Sequence, residues 1–433
     1  MTATGAQTRT HATDRNRPGI LTRICRRGVL RQLSRLRHGR ITLRDGAEVH
    51  RFGEITGDCP LAATVTVHDP AFYRDLALGG SLGASEAFIA GHWSCDDLFT
   101  LMRIMVRNGE DLSGLDSGLA RLRAPLRKIA HLLNRNSRRG SRRNISAHYD
   151  LSNDFFRLFL DETMTYSCAV FEREDATLAE ASTAKLDRIC RRLDLKPQDH
   201  VLEIGTGWGS FAIHAAREYG CRVTTATISR EQHALATERV REAGLKDRVN
   251  VLLSDYRDLE GEFDKVVSIE MIEAVGHEYL DTYFSAISDR LRPDGMALIQ
   301  AITIRDQEYD RYRRSVDFIR THIFPGSCIT SVSAVMASVR RATDMVLGDL
   351  EDITPHYVKT LLAWRERFQA NADQVRALGF PEPFLRMWDH YLCYCAGGFA
   401  ERWIGTVQML FTKPRCRWSA VQPAPREQKC SAP

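Results

Sequence analysis

The 433-residue sequence has no apolar run long enough to cross a bilayer. Uninterrupted apolar stretches such as residues 296–299 fall far short of the roughly 18–20 residues of a transmembrane helix. The first thirty residues carry several arginines and no continuous apolar segment, so we expect no cleavable secretory signal. Glycine (29 residues) and proline (14 residues) are too sparse for a low-complexity chain. These absences leave a globular protein of about two to three domains.

The eleven cysteines lack the spacing of a metal site or of a disulfide framework. Their number is odd, and no two of them form a CxxC pair. Reduced thiols in the cytoplasm are the simplest interpretation of this pattern. We therefore expect a cytoplasmic protein without a bound metal.

Positive charge is concentrated in two segments, although the formal net charge is only +5. Residues 1–50 contain eleven arginines and three acidic residues, and residues 121–143 contain nine basic residues and no acid. The remainder of the chain is therefore net acidic. No nucleic-acid-reading motif accompanies the basic segments, so we expect no nucleic-acid partner.

The first basic segment has the periodicity of an amphipathic helix, with five apolar residues on one face and five arginines around the rest. The apolar residues are Leu21, Ile24, Val29, Leu33 and Leu36, and the arginines are Arg23, Arg26, Arg27, Arg31 and Arg35. Such a helix suits an anionic membrane surface, where each basic residue contributes on the order of 1 kcal/mol. A solvated arm is the alternative interpretation, because Gly28 interrupts the pattern.

The composition divides the chain into five parts: a basic arm (1–40), a small accessory α+β domain (41–120), a basic linker (121–145), a main domain (146–415) and a tail (416–433). In the accessory domain the pattern predicts a strand over 63–67 and a helix over 82–89. In the main domain it predicts strands at 200–204, 222–228, 249–253, 263–268 and 296–304, and helices at 210–219, 230–243 and 279–291. This alternation predicts an α/β fold with a doubly wound, mainly parallel sheet.

A glycine-rich turn joins the first of these strands to a helix. It reads VLEIGTGWG over 201–209, with Glu203 before the glycines at Gly205, Gly207 and Gly209. Bare backbone at a helix N-terminus lets a ligand approach closely. The spacing differs from the dinucleotide fingerprint and, with the preceding acid, is typical of S-adenosylmethionine binding. The next strand lacks the acid that usually holds a ribose, and Thr227 and Gln232 are the nearby polar substitutes.

Further motifs lie on both sides of the glycine turn. They are RRNISAHYDLSN (142–153), MTYSCA (164–169), TISREQ (227–232), SDYR (254–257), EMIEAVG (270–276), DFIRTHIFPG (317–326), HY (356–357) and YCAGGF (394–399). Together they resemble the cyclopropane-fatty-acyl-phospholipid synthase and mycolic acid cyclopropane synthase family over most of the chain. The segment 67–98 also resembles the accessory domain of the phospholipid-acting members.

The resemblance implies a class I methyltransferase fold, Rossmann-like, with helical insertions over an acyl tunnel and a small N-terminal α+β domain. It implies methylene transfer from S-adenosylmethionine to a cis double bond of an unsaturated phospholipid acyl chain at a membrane surface. The carbocation formed on the lipid would be deprotonated by a bound bicarbonate, so that a cyclopropane ring closes. It also suggests a homodimer.

Residues are assigned by matching these motifs. Cys168, Glu273, Tyr357 and the backbone of Ile302 correspond to the bicarbonate site of the family. Gln300 stands where many members have histidine, and an amide can donate a hydrogen bond but cannot titrate. The residues assigned to the cofactor are Tyr166, Ser167, Glu203, Gly205, Thr206, Gly207, Trp208, Gly209, Thr227, Gln232, Asp255, Tyr256 and Arg257.

Two alternatives remain open at the level of the sequence. Because of Gln300, the same lipid cation could lose a different proton and give a methyl- or methylene-branched chain. An inactive cofactor- or lipid-binding regulator is the second alternative, against which the retention of Cys168, Glu273 and Tyr357 argues.

Overall fold

The computed structural model describes residues 19–112 and 151–418. The first range forms the small domain, in which a four-stranded sheet of order β2-β1-β3-β4 packs against three helices. Its strands are β1 (Gly39–Asp45), β2 (Glu48–Glu54), β3 (Ala62–Val67) and β4 (Trp93–Cys95). Its helices are α1 (Ile20–Leu33), α2 (Ala71–Ile89) and α3 (Leu98–Arg107). The predicted strand at 63–67 is confirmed, and the predicted helix at 82–89 is the second half of α2.

Helix α1 belongs to the core of the small domain. Cys25, Val29 and Leu33, spaced four residues apart, are buried there. The predicted apolar face was wrong in including Leu21 and Ile24, which are 53% and 61% exposed. The buried stripe follows Cys25 instead, and Gly28 does not end the helix. The predicted boundary at residue 40 therefore does not separate α1 from the domain that follows it.

The second range forms the main domain around a seven-stranded sheet of order β10-β11-β9-β8-β5-β6-β7. Its strands are β5 (His200–Ile204), β6 (Arg222–Thr227), β7 (Val249–Leu253), β8 (Phe263–Ile269), β9 (Leu291–Ile304), β10 (Val346–Asp352) and β11 (Ile404–Thr412). Strands β5 to β9 are parallel to one another, whereas β11 pairs antiparallel with β9 and β10. The predicted doubly wound, mainly parallel sheet is confirmed.

Ten helices of this domain are described. They are α4 (Asn153–Arg157), α5 (Leu178–Arg192), α6 (Ser210–Glu218), α7 (Arg230–Glu242), α8 (Leu280–Arg290), α9 (Asp306–Tyr312), α10 (Val332–Ala342), α11 (Thr354–Ala370), α12 (Ala372–Ala377) and α13 (Glu382–Ala400). Helices α6, α7 and α8 follow strands of the sheet, as predicted, whereas α9, α11 and α13 contribute side chains near its carboxyl edge.

Helix α13 joins the two domains, since it packs against both α2 and α3. At its end the carboxylate of Glu401 accepts hydrogen bonds from Arg103 Nε at 2.6 Å and Arg107 Nε at 2.5 Å. Buried His390 of α13 also contacts Ser85 of α2 at 2.8 Å. The small domain is therefore held directly against the helical cover of the main domain.

Several predicted features lie outside the described residues: the linker at 121–145, the first nine residues of the motif at 142–153, and the tail beyond residue 418. Among the residues that are described, no helix is both long enough and apolar enough to cross a membrane.

Candidate active site

A single cavity of about 570 Å³ lies at the carboxyl ends of β5, β6, β7 and β8. This edge is where ligands bind in open α/β sheets, because the strand-to-helix loops diverge there. The cavity continues beneath the helical cover to the small domain, so one space connects the sheet edge with apolar side chains of both domains.

The glycine turn forms one wall of the cavity. Gly205, Gly207 and Gly209 all have positive φ values, of 101°, 52° and 85°, which favour glycine. A Cβ added at Gly207 would meet no atom within 4 Å, so the turn leaves open space beside its backbone. Gly209 is the N-cap of α6. The turn therefore has the shape of a cradle for a ligand at a helix N-terminus.

Twelve of the thirteen residues assigned to the cofactor line this cavity, and Gly209 caps the helix behind it. The twelve are Tyr166, Ser167, Glu203, Gly205, Thr206, Gly207, Trp208, Thr227, Gln232, Asp255, Tyr256 and Arg257. They come from four separate segments of the chain, which the sheet brings together at its carboxyl edge. The assigned roles remain predictions.

Two short hydrogen-bond networks order the assigned cofactor residues at the ends of β6 and β7. The hydroxyl of Thr227 donates to Gln232 Oε1 at 2.9 Å, at the end of β6 where the ribose-binding acid is missing. Asp255 accepts two side-chain hydrogen bonds from Arg257, at 2.8 and 2.7 Å. The Arg257 guanidinium lies over the Tyr256 ring, 5.3 Å from its centroid. The charge of Arg257 is thus neutralised within the protein, and the aromatic ring is held at the cavity wall.

A buried lysine and a buried glutamate set the charge near the glycine turn. Lys185 Nζ donates to Ser167 Oγ at 2.9 Å, and burial lowers the pKa of Lys185 to about 8. Glu203 Oε2 accepts from Thr225 Oγ1 at 2.6 Å, and burial raises the pKa of Glu203 to about 8. The sequence reasoning missed Lys185. The available signal was its position among the apolar residues of the buried face of α5.

Glu270 is the centre of a second group, and the sequence reasoning did not include it among the site residues. Its Oε1 accepts from the backbone N–H of Cys168 at 2.9 Å and from Gln300 Nε2 at 2.8 Å. Its Oε2 accepts from the Tyr357 hydroxyl at 2.6 Å. Glu270 follows β8 with a φ of 49°, an uncommon value for a residue other than glycine. Three predicted site residues are therefore brought together, but around a carboxylate of the protein.

Two of these donors lie in the interior, whereas Glu270 lines the cavity. The Cys168 and Gln300 side chains are fully buried. Burial, and then the charge of Glu270, raise the pKa of the Cys168 thiol well above its usual value, so the thiol is neutral. Cys168 therefore acts in this site through its backbone N–H.

Glu273, which the motif assigned as the site acid, lies beside this group at the cavity wall. Its Oε1 accepts from the backbone N–H of Ile302 at 2.5 Å. Its buried Oε2 has no hydrogen-bond partner within the described parts of the chain. Burial and the charge of Glu270 raise the pKa of Glu273 to about 8. Glu273 is thus predominantly protonated at neutral pH.

The cavity fits one of the two predicted small molecules better than the other. A sulfonium cofactor suits the open space at Gly207 and the carboxylates that face the cavity. Bicarbonate does not fit at the predicted point, because the donors assigned to it already bind carboxylates of the protein. The hydrogen bonds of Cys168, Gln300 and Tyr357 go to Glu270, and that of Ile302 goes to Glu273.

Aromatic and apolar side chains form the rest of the lining. The Tyr166 hydroxyl lies 2.9 Å from that of Tyr391, and the Tyr357 ring stacks on Phe399 with centroids 4.4 Å apart. All four of these side chains line the cavity. Toward the small domain the lining becomes aliphatic, with Leu76, Ala84, Met102 and Met105. This part of the cavity has the chemistry to hold an acyl chain and to exclude water.

Comparison with known proteins agrees with this description. Residues 136–409 match the family model for mycolic acid cyclopropane synthetase. A tuberculostearic acid methyltransferase of Mycobacterium tuberculosis is 39% identical over 83% of this chain and 86% of its own length. The cyclopropane-fatty-acyl-phospholipid synthase of Escherichia coli is 37% identical over 83% of this chain and 90% of its own length. The crystal structure of a mycolic acid cyclopropane synthase with S-adenosylhomocysteine and CTAB has a TM-score of 0.59 and 35% identity, over 63% of this chain and 98% of that one.

Proposed function

Since this chain belongs to the mycolic acid cyclopropane synthetase family, we propose that it modifies a cis double bond in an unsaturated phospholipid acyl chain, forming a cyclopropane ring. The enzyme is an S-adenosylmethionine-dependent lipid methyltransferase. One observation carries the finer proposal: a single cavity contains the glycine turn at one side and an apolar, aromatic lining at the other. An acyl chain in that lining would present its double bond to the cofactor.

When bound, S-adenosylmethionine supplies an electrophilic methyl group on a positively charged sulfur. The walls of the cavity hold the alkene in line with that methyl group, which is necessary because an alkene is a weak nucleophile. The rings of Tyr166, Tyr357, Tyr391 and Phe399 line the cavity, and we expect positive charge to develop on the lipid beside them. Electron-rich faces stabilise a cation, and the apolar lining keeps water from capturing it.

The small domain supports a phospholipid as the substrate. Its residues Leu76, Ala84, Met102 and Met105 line the cavity, so the space for the acyl chain extends between the domains. Helix α1, on the same domain, exposes the apolar side chains of Ile20, Leu21 and Ile24 beside its arginines. This combination suits a peripheral position on an anionic membrane, which we propose at the cytoplasmic face. A homodimer remains a prediction.

A branched product is the second candidate. The observation that favours it is the tuberculostearic acid methyltransferase relative, which is as similar to this chain as the cyclopropane synthase of Escherichia coli. Both outcomes begin with the same methyl transfer, and they differ in how the lipid cation loses a proton.

The test of the function uses the full chain with vesicles of monounsaturated phosphatidylglycerol and isotope-labelled S-adenosylmethionine. We expect mass spectrometry to find one added CH₂ per modified acyl chain and derivatisation to find the double bond gone. A CH₂ gain with a double bond still present identifies a methylene branch. Acyl chains without label, despite bound cofactor, would refute the enzymatic proposal.

The membrane proposal is tested by vesicle sedimentation. Substitution of Ile20, Leu21 and Ile24 by serine is expected to weaken binding to phosphatidylglycerol vesicles. Added salt is expected to weaken the binding of the unaltered chain. A matched control replaces Val49 and Ile55, which are also exposed apolar residues of the small domain. Equal binding of both variants would contradict a role for α1.

A further inference from the structure

The hydrogen-bond donors that the family resemblance assigns to bicarbonate are occupied by two glutamates. Glu270 accepts from the Cys168 backbone and Gln300 at one oxygen and from Tyr357 at the other. Ile302 N–H binds Glu273. Within that set, only the Oε2 of Glu273 lacks a hydrogen-bond partner among the described residues.

A carboxylate and a bicarbonate ion present the same group to these donors. Each has a planar O–C–O unit that carries one delocalised negative charge, and each accepts hydrogen bonds at both oxygens. A bicarbonate added beside Glu270 would lack these donors, and it would also meet a like charge in a buried site, which is unfavourable. The geometry is therefore that of an anion site with the anion already built into the chain.

The departure from histidine at Gln300 has a structural reason in this arrangement. Gln408 Nε2 donates to Gln300 Oε1 at 3.0 Å, and Arg192 Nη1 donates to Gln408 Oε1 at 2.8 Å. This relay from an arginine orients both amides, so Gln300 presents its NH₂ group to Glu270 at 2.8 Å. An amide donates in this way at every pH, whereas the donors of a histidine depend on its protonation.

The two glutamates are not equivalent. Burial raises the pKa of both, but three hydrogen bonds to Glu270 favour its ionised form. Glu273 has one such bond and is next to the charge of Glu270, so its pKa reaches about 8. The negative charge of the pair therefore lies on Glu270, which also lines the cavity.

We propose that the Glu270 carboxylate, and not bicarbonate, accepts the proton in this enzyme. This inference rests on the proposed function. The alkene π pair forms a bond to the methyl carbon while the carbon–sulfur bond breaks and sulfur keeps its electron pair. Glu270 removes a proton from the new methyl group, and the released C–H pair closes the ring onto the cationic carbon. The proton passes from Glu270 to water after the product leaves.

The first experiment measures binding and does not depend on turnover. ¹³C-labelled bicarbonate is titrated by NMR into the full chain with S-adenosylhomocysteine, in buffers freed of carbon dioxide. We expect no binding to the unaltered chain and binding to Glu270→Gly, which frees the donors and retains a residue suited to the positive φ. Binding to the unaltered chain at this site would overturn the proposal.

The second experiment measures lipid modification with and without bicarbonate. We expect the rate of lipid modification by the unaltered chain to be independent of bicarbonate. We expect Glu270→Gln to lower that rate about 100-fold, which is typical of the loss of a general base. Bicarbonate or formate is expected to restore part of the activity of Glu270→Gly. Neither is expected to restore the activity of Glu270→Gln, because its amide still fills the site. Glu172→Gln, a change at an exposed glutamate, is the matched control.

The outcomes separate this inference from the proposed function. An unaltered chain that modifies no lipid refutes the function. If the unaltered chain modifies lipid only when bicarbonate is present, or if the Glu270→Gln variant is active, the proposed role of Glu270 is refuted. The proposed function then still stands. Cofactor binding and thermal unfolding of each variant show whether a loss of rate comes from misfolding.

Discussion

Tyr357→Phe removes one hydroxyl and with it one hydrogen bond to the proposed base. In the structure this hydroxyl lies 2.6 Å from Glu270 Oε2. A hydrogen bond to a charged group contributes about 1.5–3 kcal/mol. The aromatic ring, which stacks on Phe399, remains in the variant. The change therefore acts mainly on the ionised form of Glu270.

The sign of the effect follows from which form the hydroxyl stabilises. It donates to the ionised carboxylate, so it lowers the pKa of Glu270, and its removal raises that pKa. A loss of 1.5–3 kcal/mol corresponds to roughly one to two pH units. We expect the acid limb of the pH profile of kcat/KM to move upward by that amount, while the rate on the alkaline plateau changes less.

The assay measures release of S-adenosylhomocysteine from lipid vesicles over a range of pH. Tyr391→Phe is the matched control, because its hydroxyl lies 2.9 Å from that of Tyr166 and is not bonded to Glu270. An acid limb that stays in place in Tyr357→Phe, or that moves equally in both variants, would refute the reasoning.

Three further predictions concern the cofactor turn, the buried lysine and the domain contact. Gly207→Ala adds a methyl group in the open space of the turn, so we expect S-adenosylhomocysteine binding, measured by calorimetry, to weaken, and its φ of 52° should lower the free energy of unfolding by about 1 kcal/mol. Lys185→Met removes a cation near the buried carboxylates, so the acid limb of the rate profile should move to higher pH, and an unmoved limb would contradict this. Glu401→Gln leaves Arg103 and Arg107 without their carboxylate, so the free energy of unfolding, followed by thermal unfolding, should fall by about 2 kcal/mol. An unchanged transition would mean that these ion pairs do not stabilise the domain contact.

Local patterns in the sequence were sufficient for the parallel strands β5 to β9 and for the cofactor turn, but they did not predict β10 and β11. The strands and helices between His200 and Ile304 were predicted to within a few residues, except that β9 begins five residues earlier. Alternating apolar segments and glycines carry this information because strand, helix and turn geometry depend on neighbouring residues. The prediction failed for the apolar face of α1, since the position of the small-domain core decides which face of a helix is buried.

The motif at 270–276 contains two glutamates three residues apart, and the sequence offered no physical means of choosing between them. The choice depends on partners that are 102, 30 and 87 residues away along the chain: Cys168, Gln300 and Tyr357. The relay behind Gln300 likewise joins β9, β11 and α5. None of these contacts has a periodic or local signature.

The sequence by itself thus determined the family, the doubly wound sheet and the glycine turn at its carboxyl edge, because each is encoded by residues close together in the chain. Only the tertiary structure decided which carboxylate receives the donors, that Lys185 is buried beside the cofactor turn, and that both domains line one cavity. The physical reason is that charge and hydrogen bonding in a buried site depend on the distances between remote segments, and packing of the whole fold sets those distances.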